Sequence, residues 1–290
     1  MKILLFGGSG QLGREVLKRA ADLNFEVASP VVSQVDIASR EQVFFVTKKV
    51  APDLILNSAA FTDVDGAENQ PEEAARINAD GAGIVAEAAA RHKCRLIHIS
   101  TDFVFDGRSQ NPLTETHPTN PLSVYGQTKL AGELAVMEAH PQALIVRTSS
   151  LHGAYGHNFV HIMLKLLKEK DQIKVVNDRW MSATWAGWLA EVVLDLGRMS
   201  HNGIVHASCA GALTWFDFTQ KIKDLVSQEL PHAARVELLP VPSSEFKQAA
   251  ARPSYSVFDC SKLASLIGRK PITWEKGLIA HLRDLELLED

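Results

Sequence analysis

The chain predicts an α/β fold, a doubly wound parallel sheet followed by a smaller C-terminal lobe. Three observations carry that reading. Short, almost unbroken apolar runs alternate with helical patterns through the first half, the mark of strands covered on both faces. A glycine-rich turn, Gly7-Gly8-Ser9-Gly10-Gln11-Leu12-Gly13, follows the first run directly. The second half loses the alternation and is punctuated by Pro231, Pro240, Pro242 and Pro253.

Each element follows from its local pattern. Residues 3–6 are an apolar strand, and a helix is expected from about 10 to 23. Residues 25–28 form a second strand, 41–50 a helix and 54–57 a third strand closed by a polar loop. A long Ala-rich helix spans 71–90, a strand 96–100, a helix 125–137 and a strand 144–147. Right-handed crossovers then give a dinucleotide-binding sheet of the Rossmann type. Beyond it, 159–168 reads as a helix, 173–176 as a strand and 185–196 as a helix. The expected division puts residues 1–149, with return segments at about 172–200 and 232–241, in the dinucleotide-binding domain. About 150–171, 201–231 and 242–290 form a substrate-binding lobe over the carboxyl ends of the strands.

Composition narrows the function. The 290 residues are 46% hydrophobic, enough for one large core or two unequal ones. A net charge of −4 gives no reason to expect nucleic acid or an anionic membrane as partner. Cys94, Cys209 and Cys260 are far apart and read as buried thiols in a reducing compartment. The apolar stretch after Met1 is too short for a signal or spanning segment, so a soluble cytoplasmic protein is expected.

The chemistry-bearing residues lie in the first half. Glycines at 7, 10 and 13 allow a tight turn and close approach of backbone to a pyrophosphate, and the helix N-terminus favours its charge. The tip of the second strand, Ala28-Ser29-Pro30, carries no acid to hold ribose hydroxyls, and Arg14 can meet a 2′-phosphate. That leans to NADPH and leaves NADH open. Tyr125 and Lys129 stand at i and i+4, one helical turn apart on one face. Thr101 ends a strand upstream. A phenol of pKa about 10 needs help to donate a proton at neutral pH, and a neighbouring ammonium lowers that pKa. Thr, Tyr and Lys after a nucleotide-cradling turn are the parts of a carbonyl reductase.

Longer stretches sharpen this. Ser100-Thr101-Asp102-Phe103-Val104-Phe105-Asp106-Gly107 and Tyr125-Gly126-Gln127-Thr128-Lys129-Leu130-Ala131-Gly132-Glu133, with Asn57-Ser58-Ala59-Ala60-Phe61-Thr62-Asp63-Val64-Asp65 and Arg252-Pro253-Ser254-Tyr255, resemble the extended short-chain dehydrogenase/reductase family. The resemblance spans nearly the whole chain. It implies reduction of the C4 ketone of a nucleotide-linked deoxysugar, a dTDP sugar reaching the L-rhamnose configuration. By the same resemblance Gly7, Gly10, Gln11 and Leu12 would hold the pyrophosphate, Asp36 and Ile37 would contact adenine, and Ala59, Ala60 and Thr62 would line the path to the nicotinamide ribose. Thr101, Tyr125 and Lys129 would be catalytic, the last two also holding cofactor. Thr101, Asp102, Phe103, Asn158 and Arg252 would meet the sugar nucleotide.

The departures lie in the substrate half. Ser150 and Leu151 follow Arg147-Thr148-Ser149 where the family usually has Trp. Asp178-Arg179-Trp180-Met181-Ser182-Ala183-Thr184 replaces a Gln, a Gly and a Pro of the usual pattern. Phe103 stands where Tyr is common and His157 where Asn is. Trp180 is a candidate for the missing ring, core packing being the other reading for it and for Trp185 and Trp188. Some members form dimers through carboxylates that bind Mg²⁺. Glu191, Asp284, Glu286, Glu289 and Asp290 are the acids available, but no metal is expected, and a homodimer stays open. His152, His157 and His161 do not make a zinc site; His152 or His157 is a candidate contact to the ligand. Three other readings stay open: a reductase of a related talose- or streptose-type sugar, an NAD⁺-retaining epimerase, and a non-catalytic subunit like the regulatory β-subunit of methionine adenosyltransferase.

Overall fold

The first apolar run becomes the middle of a six-stranded parallel sheet. In the computed structural model, which describes residues 1–289, the order begins β1 (Lys2–Phe6), α1 (Gln11–Asp22), β2 (Glu26–Ala28), α2 (Arg40–Val50), β3 (Leu54–Asn57), α3 (Val64–Asn69) and α4 (Pro71–Ala75). A π-helical turn (Arg76–Gly81) leads into α5 (Ala82–His92), β4 (Arg95–Thr101), a 3₁₀ turn (Asp102–Val104), α6 (Val124–Ala139) and β5 (Leu144–Thr148). Then come β6 (Leu151–His152), α7 (Phe159–Glu169), β7 (Gln172–Val176), β8 (Trp180–Met181), β9 (Thr184–Trp185), α8 (Ala186–Gly197) and β10 (Gly203–His206). The last are β11 (Leu213–Thr214), α9 (Trp215–Val226), β12 (Glu237–Val241), β13 (Tyr255–Ser256), α10 (Ser261–Ile267) and α11 (Trp274–Asp284).

The sheet order is β10-β5-β4-β3-β1-β2, every pair parallel. Because side chains alternate along a strand, the two faces carry separate cores. Ile3, Leu5, Leu54, Leu56, Ile97, Leu144 and Val146 pack with α1 and α8. Leu4, Phe6, Ile55, Leu96 and Ile145 pack with α2, α5 and Val136 of α6. Ile3, Leu4 and Leu5 are wholly buried, worth roughly 1.5–3 kcal/mol each. The chain reverses direction across the sheet between β1 and β3, so the carboxyl ends of those strands open a crevice suited to a ligand.

Three expectations are corrected. The sixth strand of the sheet is β10, which lies in the stretch assigned to the lobe, and it is brought back by β9 and α8. The segments around 172–176 and 237–241, expected to return to the sheet, instead pair with each other as β7 and β12. Ile173, Val175, Val236 and the apolar stripes of α7, α9 and α11 bury one another in a third core, so these strands belong to the lobe. The helix expected over 71–90 is also broken. Its π turn rolls Asn78 inward, where its Oδ1 accepts the Phe61 amide at 2.8 Å and its Nδ2 donates to Thr128 Oγ1 at 3.1 Å. That one residue ties the loop after β3 to α6.

Candidate active site

Glycine contacts set the backbone of the first cleft. Gly7 has φ +85°, and a Cβ on it would lie 2.6 Å from the Ala59 nitrogen, so β1 and the loop after β3 close together only without a side chain. A Cβ on Gly13 would fall 2.2 Å from the Gly7 carbonyl oxygen, which seats α1 directly on the turn. The cleft above holds about 450 Å³ and is lined by Gly7, Gly10, Gln11 and Leu12, by Ala60 and Thr62, and by Thr101, Tyr125 and Lys129. Its shape and amide-rich floor fit a dinucleotide pyrophosphate.

The helix that carries Tyr125 is fixed at its start. Ser123 caps α6 by accepting the Gly126 amide at 3.2 Å, and Glu68 accepts the Val124 amide at 2.9 Å. A Cβ on Gly126 would lie 2.2 Å from the Phe103 carbonyl oxygen, so the helix rests against the turn after β4. This brings Tyr125 beside Thr101 and packs its ring edge-on against Phe103 at 5.4 Å. Lys129, 2% exposed, projects from the next turn and donates to the Ile99 carbonyl at 2.8 Å. Burial lowers the ammonium pKa to about 8 against the opposing charge of Glu133. Burial also pushes the Tyr125 phenol up to about 12, opposed by a hydrogen bond with Thr101 and reinforced by the Asp102 charge. Burial thus outweighs the depression of the phenol expected from Lys129, whose ammonium donates to a backbone carbonyl.

Behind these residues lies a buried ion pair that no spacing rule flags. Arg147 donates to both oxygens of Glu133, at 2.9 and 2.6 Å, and Ser100 donates to the same carboxylate. Both side chains are 3% exposed. The pair pins β5 to α6 one turn beyond Lys129.

A second cavity of about 430 Å³ opens on the far side of Asp102 and Phe103, which line both spaces. Its walls carry rings from Phe159, Trp180, Trp215 and Phe246, and cations from Lys174, Arg179 and Arg252. Trp180 is 45% exposed here, so the core reading holds for Trp188 and not for Trp180. Arg179 donates to Gln248 at 2.7 Å, and its pKa is lowered by burial and by the charge of Arg252. Arg252 makes a two-pronged pair with Asp65, at 2.6 and 3.1 Å, that ties the lobe to the first turn of α3 and holds the Asp65 carboxyl down at about 2. Two guanidiniums beside aromatic faces suit a phosphorylated ligand with a planar base. Phe246 and Gln248, which sequence reasoning missed, sit in an irregular Pro-flanked stretch with no periodicity to mark them.

Other expected residues lie elsewhere. Asp36 is engaged by Arg76 at 2.7 Å, and Ile37 is buried against Gly81; neither lines the cleft. Ala59 does not line the cleft, although its neighbours Ser58 and Ala60 do, and its amide donates to Asn57 Oδ1 at 3.2 Å. Asn158 caps α7 and donates to Gln11 Oε1 at 3.1 Å, joining the loop before α7 to the glycine turn without lining either cavity. His157 and Gly156 of that loop line the first cleft, whereas His152 is buried against His281. Arg14 donates to the Ser9 carbonyl and stacks over Tyr155 at 5.3 Å, so it is drawn to this loop.

Two of the acids considered for Mg²⁺ are held by cations of this chain. Glu191 is paired with Arg19 at 3.2 Å and Asp284 with Lys18 at 3.4 Å. Among the described residues no group of three or more His, Cys, Asp or Glu is placed to hold a metal ion, and Asp290 lies outside the described residues. Among the described residues, too, no helix is long and apolar enough to cross a membrane.

Comparison with known proteins agrees with this geometry. The family model "RmlD substrate binding domain" matches residues 1–287. A dTDP-4-dehydrorhamnose reductase of Aggregatibacter actinomycetemcomitans is 34% identical over 286 residues, 96% of this chain and 97% of that protein. A Streptomyces antibioticus protein named "Probable dTDP-4,6-dihydroxy-2-methyloxan-3-one 4-ketoreductase" is 37% identical over 259 residues, 89% of this chain and 86% of the relative. The solved structure of a Bacillus anthracis dTDP-4-dehydrorhamnose reductase in complex with NADP superposes with a TM-score of 0.92 at 36% identity, covering 98% of this chain and 99% of that one.

Proposed function

The chain belongs to the RmlD substrate binding domain family, and from that premise we propose that it is an NAD(P)H-dependent oxidoreductase reducing the C4 ketone of dTDP-4-dehydro-L-rhamnose to dTDP-L-rhamnose. One observation carries the reading. Thr101, Tyr125 and Lys129 line one glycine-floored cleft, beside the Asp102 and Phe103 wall that separates it from an aromatic, cation-lined cavity. A reduced nicotinamide dinucleotide, its pyrophosphate held over Gly7, Gly10, Gln11 and Leu12, would supply the hydride. The chain supplies the rest. Tyr125 gives its proton to the carbonyl oxygen as charge builds there, an effect worth roughly 10²–10⁴ in rate. Lys129 keeps two ammonium hydrogens beyond the one held by Ile99, enough to bind a ribose hydroxyl and to lower the phenol's pKa once turned towards it. Phe103 and Leu151 exclude water from the reacting face.

The cofactor is assigned as NADPH in preference to NADH. No carboxylate stands at the tip of β2 to repel a 2′-phosphate, and Asp36 beyond it is engaged by Arg76, which it shares with Glu73. Arg179 and Arg252 take the diphosphate, and Trp180 or Phe246 stacks on the base. A panel of dTDP-, GDP- and UDP-linked keto-sugars with each reduced nicotinamide tests this. The expected result is fastest oxidation of NADPH with the dTDP sugar. Silence with every sugar would favour the regulatory-subunit reading, and a preference for another dTDP ketone the related-sugar reading.

A further inference from the structure

Three histidines that line neither cavity form a chain through the lobe. His152 on β6 is 1% exposed, His281 on α11 is wholly buried, and His161 in the first turn of α7 is half-buried. Nδ1 of His152 and Nδ1 of His281 are 3.0 Å apart, and Nε2 of His281 and Nε2 of His161 are 3.4 Å apart. Nδ1 of His161 then meets the Gly156 carbonyl oxygen at 3.0 Å.

Proton counting gives this chain a direction. A carbonyl only accepts, so His161 carries its hydrogen on Nδ1. Asn158 also approaches that nitrogen, at 3.5 Å, but its two amide hydrogens go to Gln11 Oε1 at 3.1 Å and the Gly153 carbonyl at 2.8 Å. In the neutral ring Nε2 of His161 is therefore bare and accepts from His281 Nε2–H. Nδ1 of His281 is bare in turn and accepts from His152 Nδ1–H. The nitrogen left over is His152 Nε2, which is buried and has no partner, so the chain ends on a lone pair and orphans no N–H. Burial and the neighbouring imidazole lower the pKa of His152, and the same causes bring His281 down to about 3 against the Gly153 carbonyl, so both rings are neutral at pH 7.

We infer that these histidines are a directed hydrogen-bond chain through which His281, a positioning residue on the last helix, holds the Gly156 carbonyl and with it the loop bordering the dinucleotide cleft. Gly156 and His157 line that cleft, and a Cβ on Gly156 would lie 3.0 Å from Gln11 Cγ, so the loop sits directly on the glycine turn. A dinucleotide held on that turn leaves past this loop, and a loosened Gly156 speeds its release. The inference rests on the coenzyme-binding part of the function proposed above.

Two measurements test it. Nitrogen-15 NMR of the imidazoles at pH 8, where an ordinary imidazole is neutral, is expected to show Nδ1–H tautomers at His161 and His152 and an Nε2–H tautomer at His281. A merely structural packing of three rings fixes no such pattern, and the opposite tautomer at His161 or His281 would overturn the inference. NADPH release, followed by stopped-flow fluorescence without sugar, is expected to be ~10-fold faster in His281→Phe, which keeps a ring and removes both nitrogens. His161→Phe, at a half-buried site, is expected to give the same increase and remains readable where the His281 variant fails to fold. The double variant is expected to release no faster than either single one, because a chain cut once is already cut. Unchanged release in the two single variants, or increases that multiply in the double, would overturn the inference. The failures are distinct: unchanged release removes only the positioning role, whereas a wild-type protein that binds neither NADPH nor NADH removes the proposed function.

Discussion

The two cavities on either side of Asp102 are built by opposite means. The dinucleotide cleft is defined by side chains that are missing: at Gly7 and Gly13 an added Cβ would collide with backbone. The sugar-nucleotide cavity is defined by side chains that are long: Trp180, Phe246, Arg179 and Arg252 reach into it from irregular segments. Backbone cannot step aside, so the first cleft tolerates no addition. Long side chains can be exchanged or re-aimed, so the second can change its ligand while the chemistry at the shared wall stays the same.

The sharpest test lies beside that wall. Tyr125→Phe is expected to lower kcat by ~10²–10⁴ and leave NADPH affinity within about twofold, read by stopped-flow turnover and fluorescence titration. A comparable loss of cofactor binding would mean the wall is part of the cradle. Next is the support beneath it. Glu133→Ala leaves Arg147 buried without its partner and is expected to cost about 3–5 kcal/mol in denaturant unfolding. A change under about 1 kcal/mol would mean the pair is relieved by solvent.

Gly13→Ala and Arg179→Ala compare the two building principles directly. The first forces a methyl against the Gly7 carbonyl and is expected to cost ~1–3 kcal/mol, appearing as a raised NADPH Kd and a lower melting temperature. The second is expected to raise the sugar KM by ~10-fold, with melting temperature and NADPH Kd unchanged. Equal effects of the two on both ligands would erase the distinction. The mildest effect is with pH. The buried Lys129 ammonium, with its pKa lowered to about 8, is present below that value and lost above it. Turnover that depends on the charge therefore declines as pH rises past about 8, and Lys129→Arg should carry activity to higher pH than the wild type.

The same contrast explains what could be read from the amino-acid order. The glycine turn, the strand-end Thr101 and the i, i+4 pair Tyr125 and Lys129 are local patterns, and all line the first cleft. Unbroken apolar runs and period-3.6 patterns likewise mark the first five strands and the helices between them. β7 was legible as a strand but not as a partner of β12, because a two-stranded pairing across 60 residues leaves no local mark. The third core that holds it in the lobe exists only after folding. Phe246, Gln248 and the Asp65–Arg252 link belong to the same class of long-range facts. Asn158 was assigned to the ligand through resemblance, whereas its amide group is used in a cap and in a tie to Gln11.

That tie has a kinetic consequence. The loop before α7 lies over the glycine turn, fastened by Gln11 to Asn158 and by Arg14 to Tyr155, and it continues into the helix whose Phe159 and Met163 wall the other cavity. The cover of the glycine turn and a wall of the second cavity are thus two ends of one covalent segment. On the proposed function, a sugar nucleotide seated against that wall would brace the segment over the dinucleotide, and the expected kinetics are compulsory order, coenzyme first on and last off.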